Sequence, residues 1–133
     1  PAGETEGLGH LDIDTVMTPD KRLSRVRATH IASGLPVDGY EIHIGRSQGA
    51  DCARPFAMVD GRPEGATRAD GRVVGSYLHG LFHQDAFRAA YLAGLGIQAA
   101  PRQHGAGIEA VLDALADHLE AHLDVPGLLG LAR

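Results

Sequence analysis

The stretch Val73-Val74-Gly75-Ser76-Tyr77-Leu78-His79-Gly80-Leu81-Phe82 sets one histidine where an apolar run stops and a tight loop begins. Val73, Val74, Tyr77 and Leu78 have the β-branched, aromatic and aliphatic character of a short, mostly buried strand over 73–78. The Asp70-Gly71 pair turns the chain into it and Gly80 lets the chain leave. His79 is thereby predicted at a strand's carboxyl end, where open α/β sheets collect their chemistry. An imidazole with an ordinary pKa near ~6.5 can take a proton from a nucleophile and return it to a leaving group at neutral pH. A capping or core histidine bonded to backbone would fit the same stretch equally well.

Working outward, Val37-Asp38-Gly39-Tyr40-Glu41-Ile42-His43-Ile44-Gly45-Arg46 reads as a second strand. Period two puts Tyr40, Ile42 and Ile44 on one face and Glu41 with His43 on the other. Gly39 and Gly45 bracket the strand, and Arg46 offers a guanidinium at its end, suited to a carboxylate. The plain alternative is a solvated strand face with a surface arginine.

Turn signals recur through the first part of the chain: Thr18-Pro19-Asp20, Ser33-Gly34-Leu35-Pro36, Asp60-Gly61 and Asp70-Gly71. They separate apolar runs near 23–31, 40–44, 56–59 and 73–78. These runs lie too close together for a helix between each pair, so antiparallel neighbours and hairpins are expected. Pro55 moves the third run toward an edge or a strand start. After Phe82 the pattern becomes helical, with Asp85 as an N-cap and Phe87, Tyr91 and Leu95 at helical spacing before Gly94 and Gly96. A loop is expected over 99–107. The last helix is predicted over about 108–123, with Ile108, Val111, Leu112, Leu115, Leu119 and Leu123 on one stripe.

The chain has 133 residues, 44% of them apolar, which suffices for one modest core. Its formal charge of −5, with both signs interleaved, excludes the contiguous basic surface that nucleic acid or anionic lipid would need. No apolar run approaches the ~20 residues of a membrane span. The single cysteine, Cys52, forms no intrachain disulfide framework and fits a reducing compartment, so a cytoplasmic location is expected. His118 and His122, and His79 and His83, stand four apart as metal ligands on a helix face can. Neither pair has two further ligands nearby, and no metal site is assigned.

Several long motifs, in order, resemble the glutamine amidotransferase domain of the cobyric acid synthase family, which assembles cobalamin. They are Gly7-Leu8-Gly9-His10-Leu11-Asp12-Ile13-Asp14-Thr15-Val16-Met17, then Gly39-Tyr40-Glu41-Ile42-His43-Ile44-Gly45-Arg46, then Asp70-Gly71-Arg72-Val73 through His79-Gly80-Leu81-Phe82 to Phe87-Arg88. The resemblance implies an α/β, three-layer flavodoxin-like class I amidotransferase fold. Residues 1–133 would form its C-terminal part, with a strand-rich first part and two C-terminal helices. It also implies a glutaminase in which a cysteine attacks the carboxamide of glutamine and a histidine serves as base and then acid.

His79 matches that histidine, Arg46 would hold the α-carboxylate of glutamine, and Glu41 is a candidate to orient the imidazole. The wider class places a glutamate two residues after the histidine, where this chain has Leu81; the cobyric acid branch it resembles also lacks that glutamate. The family's Gly-x-Cys-x-Gly elbow does not occur here. Cys52, in Gly49-Ala50-Asp51-Cys52-Ala53-Arg54-Pro55, leads into a proline instead of a helix and is expected to be inert. Pro1-Ala2-Gly3-Glu4-Thr5-Glu6-Gly7 reads as an interior loop, so the elbow and the synthetase domain are expected outside these residues.

The resemblance then implies a glutamine-hydrolysing half that supplies ammonia for ATP-dependent amidation of peripheral carboxylates of adenosylcobyrinic acid a,c-diamide. Its partners would be glutamine, the synthetase domain of the same protein and, through it, the corrin. No cofactor is expected on these residues; ATP and Mg belong to the synthetase domain, and no Gly-x-x-x-x-Gly-Lys-Ser/Thr phosphate loop is present. The alternatives are the sister cobyrinic acid a,c-diamide synthase, another amidotransferase of the branch, or a non-catalytic module kept for binding or assembly.

Overall fold

The computed structural model describes residues 3–98 and 104–132. The chain forms two compact units, Pro1–Ala99 and Ala100–Arg133. The first contains strands β1 (Asp14–His30), β2 (Pro36–Gln48), β3 (Ala57–Val59), β4 (Arg62–Glu64), β5 (Ala66–Thr67), β6 (Val74–Gly75) and β7 (Leu78–His79), then helix α1 (Asp85–Gly94). Five of the strands form a sheet in the order β4-β3-β1-β2-β7 and the other two a small β5-β6 ribbon. All of these pairings are antiparallel, as the close spacing of the apolar runs requires. The result is an α/β fragment of antiparallel sheet and helices.

The long β1–β2 hairpin is the frame. It closes where Gly34, at φ 68°, donates its N–H to the His30 carbonyl at 2.8 Å. Strand β1 begins at Asp14, well before the predicted start at 23, because Thr18-Pro19-Asp20 is not a turn. Residues 18–21 stand opposite Ile44 alone, a bulge in which the Thr18 hydroxyl donates to the Ile44 carbonyl at 2.9 Å. Pro19 has no N–H to give to a ladder and is accommodated only there. Asp60 at φ 49° and Gly61 at φ 76° make the two-residue turn of the β3–β4 hairpin, and Pro55 precedes its first strand.

The predicted strand over 73–78 is in fact two. Its first half pairs with β5 and its second half with β2. The break lies at Ser76-Tyr77, where the buried Glu64 carboxylate accepts the Tyr77 N–H at 2.6 Å and the Ser76 hydroxyl at 2.9 Å. A charged acceptor outcompetes a neutral ladder carbonyl, so the chain leaves one sheet and enters another.

The core lies on one face of the main sheet, where Val26, Ala28, Val37, Val59 and Leu78 meet Phe56 and Phe87. Helix α1 supplies Phe87, 1% exposed, and the partly buried Tyr91. Its N-cap is Gln84, one residue before the predicted Asp85, and Leu95 falls past its end at 63% exposure. His30 sits in this aromatic cluster, 4.7 Å from the Phe56 ring and 5.1 Å from Phe87, with the Ser33 N–H donating to its Nδ1 at 3.3 Å.

The sheet settles which face of β2 is buried. On β2 the buried side is that of Val37, Gly39, Glu41 and Gly45, while Tyr40 and Ile44 are exposed. The apolar residues of this strand therefore face outward and a carboxylate faces in. Gly39 is required there, because a Cβ would collide with the backbone carbonyl of His79 on β7.

In the second unit α2 runs His104–His122 and α3 Val125–Leu131. Helix α2 thus starts four residues before the predicted 108, and the expected loop over 99–107 is helix from His104 on; 99–103 lie outside the described residues. Helix α3 makes three helices where two were expected after the strands. Asp124 caps it by accepting the Gly127 N–H at 3.1 Å, with Pro126 in the first turn.

Two outcomes follow from this packing. Burial holds the His30 pKa below its ordinary value, so the unfolded chain binds the proton first. Its contribution to stability is complete above about pH 6.5 and is lost as pH falls toward the folded value. Urea midpoints should drop through that window, and the drop should shrink in His30→Phe; an unchanged slope would contradict the assignment. Gly39→Ala should cost about 1–3 kcal/mol by forcing β7 off β2, read as a lowered urea midpoint with faster amide exchange at 78–80.

Candidate active site

Strand β7 is two residues long, and its last residue is His79. Gly80 follows at φ 78°, ψ 7°, and the His83 N–H donates back to its carbonyl at 2.9 Å, which turns the chain sharply away. His79 is consequently left exposed on a fixed backbone, and its ring has no protein hydrogen bond among the described residues. It was expected at a strand end before a tight loop, and it stands there.

Register places His79 in a row. Arg25 of β1 is opposite Tyr40 of β2, and Tyr40 is opposite His79 of β7. Directly opposed residues share a face, so the three side chains stand on the same, outward side, with Arg25 and His79 about 10 Å apart between Cα atoms. A cleft of about 290 Å³ opens beside the row, lined by Arg25, Asp38, Tyr40, Gly80, His83 and Gln84. Asp38 is fixed by two donors, Arg27 Nε at 3.3 Å and Gln84 Nε2 at 2.9 Å.

Glu41 is not brought to His79. It lies opposite Leu78, so it projects through the other face of the sheet, where it is buried. Its oxygens are occupied by Arg22 Nε at 2.6 Å, Arg62 Nη2 at 3.3 Å and His43 Nε2 at 3.3 Å. Burial pushes its pKa up, but the hydrogen bonds from His43 and Arg22 and the charges of Arg22 and Arg62 outweigh this, and the carboxyl is held below its usual range. The residue it orients is His43, whose other nitrogen faces the Gly45 carbonyl at 2.7 Å and whose ring stacks on Tyr77 at 4.3 Å. Across this cluster Glu64 is pushed upward by burial, against its bonds from Tyr77 and Ser76. Leu81, at the position of the missing orienter, packs against the core.

Arg46 shares the outward face with Tyr40 but lies six residues farther along β2, on the order of 20 Å away. It pairs with Val16 beyond the bulge and does not line the cleft. Cys52 lies in the short 3-10 turn Ala50–Ala53 that follows the end of β2 and does not line the cleft. Its neighbour Asp51 is buried, accepts the Asp12 N–H at 2.8 Å and pairs with Arg54, so this turn clamps the segment before β1. His118 and His122 stack at 4.3 Å on α2, with His122 Nδ1 bonded to the His118 carbonyl at 2.8 Å. No group of three or more metal-ligating side chains occurs among the described residues, and no described helix is long and apolar enough to cross a membrane.

Sequence reasoning missed Arg25, Asp38 and Gln84 as cleft residues. Part of the signal was present: Val26, Ala28 and His30 alternate with Arg25, Arg27 and Thr29, a period-two pattern that puts Arg25 on the outward face. That it lies level with His79 depends on two strand registers that no local pattern encodes.

Known proteins place this site in context. A cobyric acid synthase of Rhodobacter capsulatus is 73% identical over all 133 residues, which cover 28% of that relative. The cobyric acid synthases of Cereibacter sphaeroides and Bradyrhizobium diazoefficiens are 66% and 59% identical over 98% and 100% of the chain, and 27% and 28% of their own lengths. The chain therefore spans little more than a quarter of these curated relatives. No solved structure matches it. The model of the CobB/CobQ-like glutamine amidotransferase domain matches residues 1–87, the whole sheet, the histidine loop and the start of α1, and the chain belongs to that family.

Proposed function

We propose that this chain is the histidine-bearing part of the glutaminase half of a cobyric acid synthase, with His79 as its general base and acid. The observation that carries the reading is the placement of His79: exposed at the end of β7, fixed by Gly39 and Gly80, with Gly80 itself lining the neighbouring cleft. Family membership and the similarity to cobyric acid synthases support it.

In this reading His79 takes the thiol proton of a cysteine on a Gly-x-Cys-x-Gly elbow elsewhere in the longer protein, and the resulting thiolate attacks the side-chain carbonyl carbon of glutamine. The tetrahedral adduct collapses as the C–N bond breaks, and the imidazolium of His79 protonates the departing nitrogen, which leaves as ammonia. Neutral His79 then takes a proton from water, which attacks the thioester and releases glutamate and the thiol. The ammonia serves ATP-dependent amidation of peripheral carboxylates of adenosylcobyrinic acid a,c-diamide in the synthetase part, in the cytoplasm. The sister diamide synthase would use the same half-reaction on a different corrin.

In the full-length enzyme, His79→Ala should lower glutamine-dependent amidation by at least about 10²-fold, the usual worth of a positioned base. Amidation from ammonium salts should remain near its normal rate, since the synthetase site does not use the imidazole. Equal loss with both nitrogen donors would make His79 structural and end this reading.

A further inference from the structure

We infer that the apolar stripe of α2 docks into a groove with a basic rim, formed by the part of the same polypeptide that lies outside these 133 residues. The inference rests on the reading of the chain as part of a cobyric acid synthase and adds the surface by which its last helices join the longer protein.

The stripe itself is the first observation. Ile108, Val111, Leu112, Leu115, Leu119 and Leu123 share one side of α2 and its C-terminal end, and each is between 40% and 68% exposed. No described residue of α2 or α3 is buried, and Leu128, Leu129 and Leu131 of α3 are exposed as well. Isolated helices are marginal in water and owe most of their stability to packing an apolar face, so a continuous stripe of this kind marks a surface made for a partner.

Charge selects the partner. From His104 to Ala132 the sequence holds five carboxylates, Glu109, Asp113, Asp117, Glu120 and Asp124, and no lysine or arginine. At about 100° per residue, Glu109, Glu120 and Asp113 run along one side of the stripe, while Ala114 and Ala121 lie on the other, beyond His118. A second copy of this helix would bring the same carboxylates and no cation to meet them, which is repulsive. A groove with an apolar floor and lysine or arginine along one rim answers the whole surface.

The third observation is how much polypeptide can supply that groove. Similarity to the cobyric acid synthase of Rhodobacter capsulatus runs through both helices, at 73% identity over all 133 residues, although the amidotransferase family model stops at residue 87. The chain covers 28% of that relative, so in a protein of that kind nearly three quarters of the polypeptide lies outside it. A groove on the same polypeptide meets the stripe at high effective concentration, and a modest surface then suffices.

The test puts the photo-crosslinker p-benzoylphenylalanine at Leu115 of the full-length enzyme and, as a control, at Asp117 on the opposite side of α2. Mixing protein of light and heavy nitrogen separates links within one polypeptide from links between two. The Leu115 probe should link within one polypeptide, to residues outside these 133 and close to a lysine or arginine, with a yield well above that of the Asp117 probe. Changing Glu109, Asp113 and Glu120 together to lysine should lower that yield at least about 10-fold. In the enzyme without a probe, amide exchange over 104–122 should be at least about 10-fold slower than in Leu115→Asp. Links confined to these 133 residues, links between two polypeptides, equal yields at Leu115 and Asp117, a yield indifferent to charge reversal, or equal exchange rates would each overturn the inference. None of these readouts uses glutamine hydrolysis. A failed link with a glutamine-specific loss in His79→Ala removes the inference alone, and an intact link with glutamine use kept by His79→Ala removes the glutaminase reading alone.

Discussion

The site depends on a seam only two residue pairs long, Tyr40 with His79 and Glu41 with Leu78, where β7 closes onto β2. So short a strand cannot hold itself by ladder bonds. It is held because Gly39 lets the backbones approach, because Leu78 is buried in the core, and because Glu64 captures the Tyr77 N–H just before it. The left-handed Gly80 then ends the strand at once. None of these constraints acts on the His79 side chain, and together they leave it as the unconstrained group at the rim. Such rigidity of support with freedom of the reacting group is what a proton-transfer residue needs.

Beneath that seam the sheet carries charge instead of apolar surface. Glu41 on the inward side holds Arg22 and Arg62 from two other strands and steadies His43 against Tyr77. Removing one member of such a buried set leaves the others unpaired, at a cost of about 1–3 kcal/mol per orphaned group. The cluster ties β1, β2 and β4 together and fixes the register that lines up Arg25, Tyr40 and His79 on the opposite face. Polar groups thus set the geometry on one side that chemistry uses on the other.

Much of this was legible in the sequence. The alternation around Tyr40, the turns at Gly34, Asp60-Gly61 and Asp70-Gly71, and the strand end at His79 all correspond to local physics and all formed. What was not legible depended on competition at a distance. Val73 and Leu78 look like one strand until a glutamate nine residues upstream of Val73 draws off the Tyr77 N–H and the Ser76 hydroxyl between them. Thr18-Pro19-Asp20 has turn composition but lies across from a strand long enough to carry it as a bulge. Glu41 seemed free to orient His79 only because a period-two pattern cannot say which face is buried. Arg46 drew attention through its motif, whereas Arg25 gains its place from register alone.

The most direct measurement of the central claim is a crystal structure of the full-length enzyme with its nucleophilic cysteine changed to serine and glutamine bound. The account predicts the carboxamide against His79, with a ring nitrogen within hydrogen-bond reach of the serine hydroxyl. Glutamine bound elsewhere, with His79 turned away from the nucleophile, would contradict it.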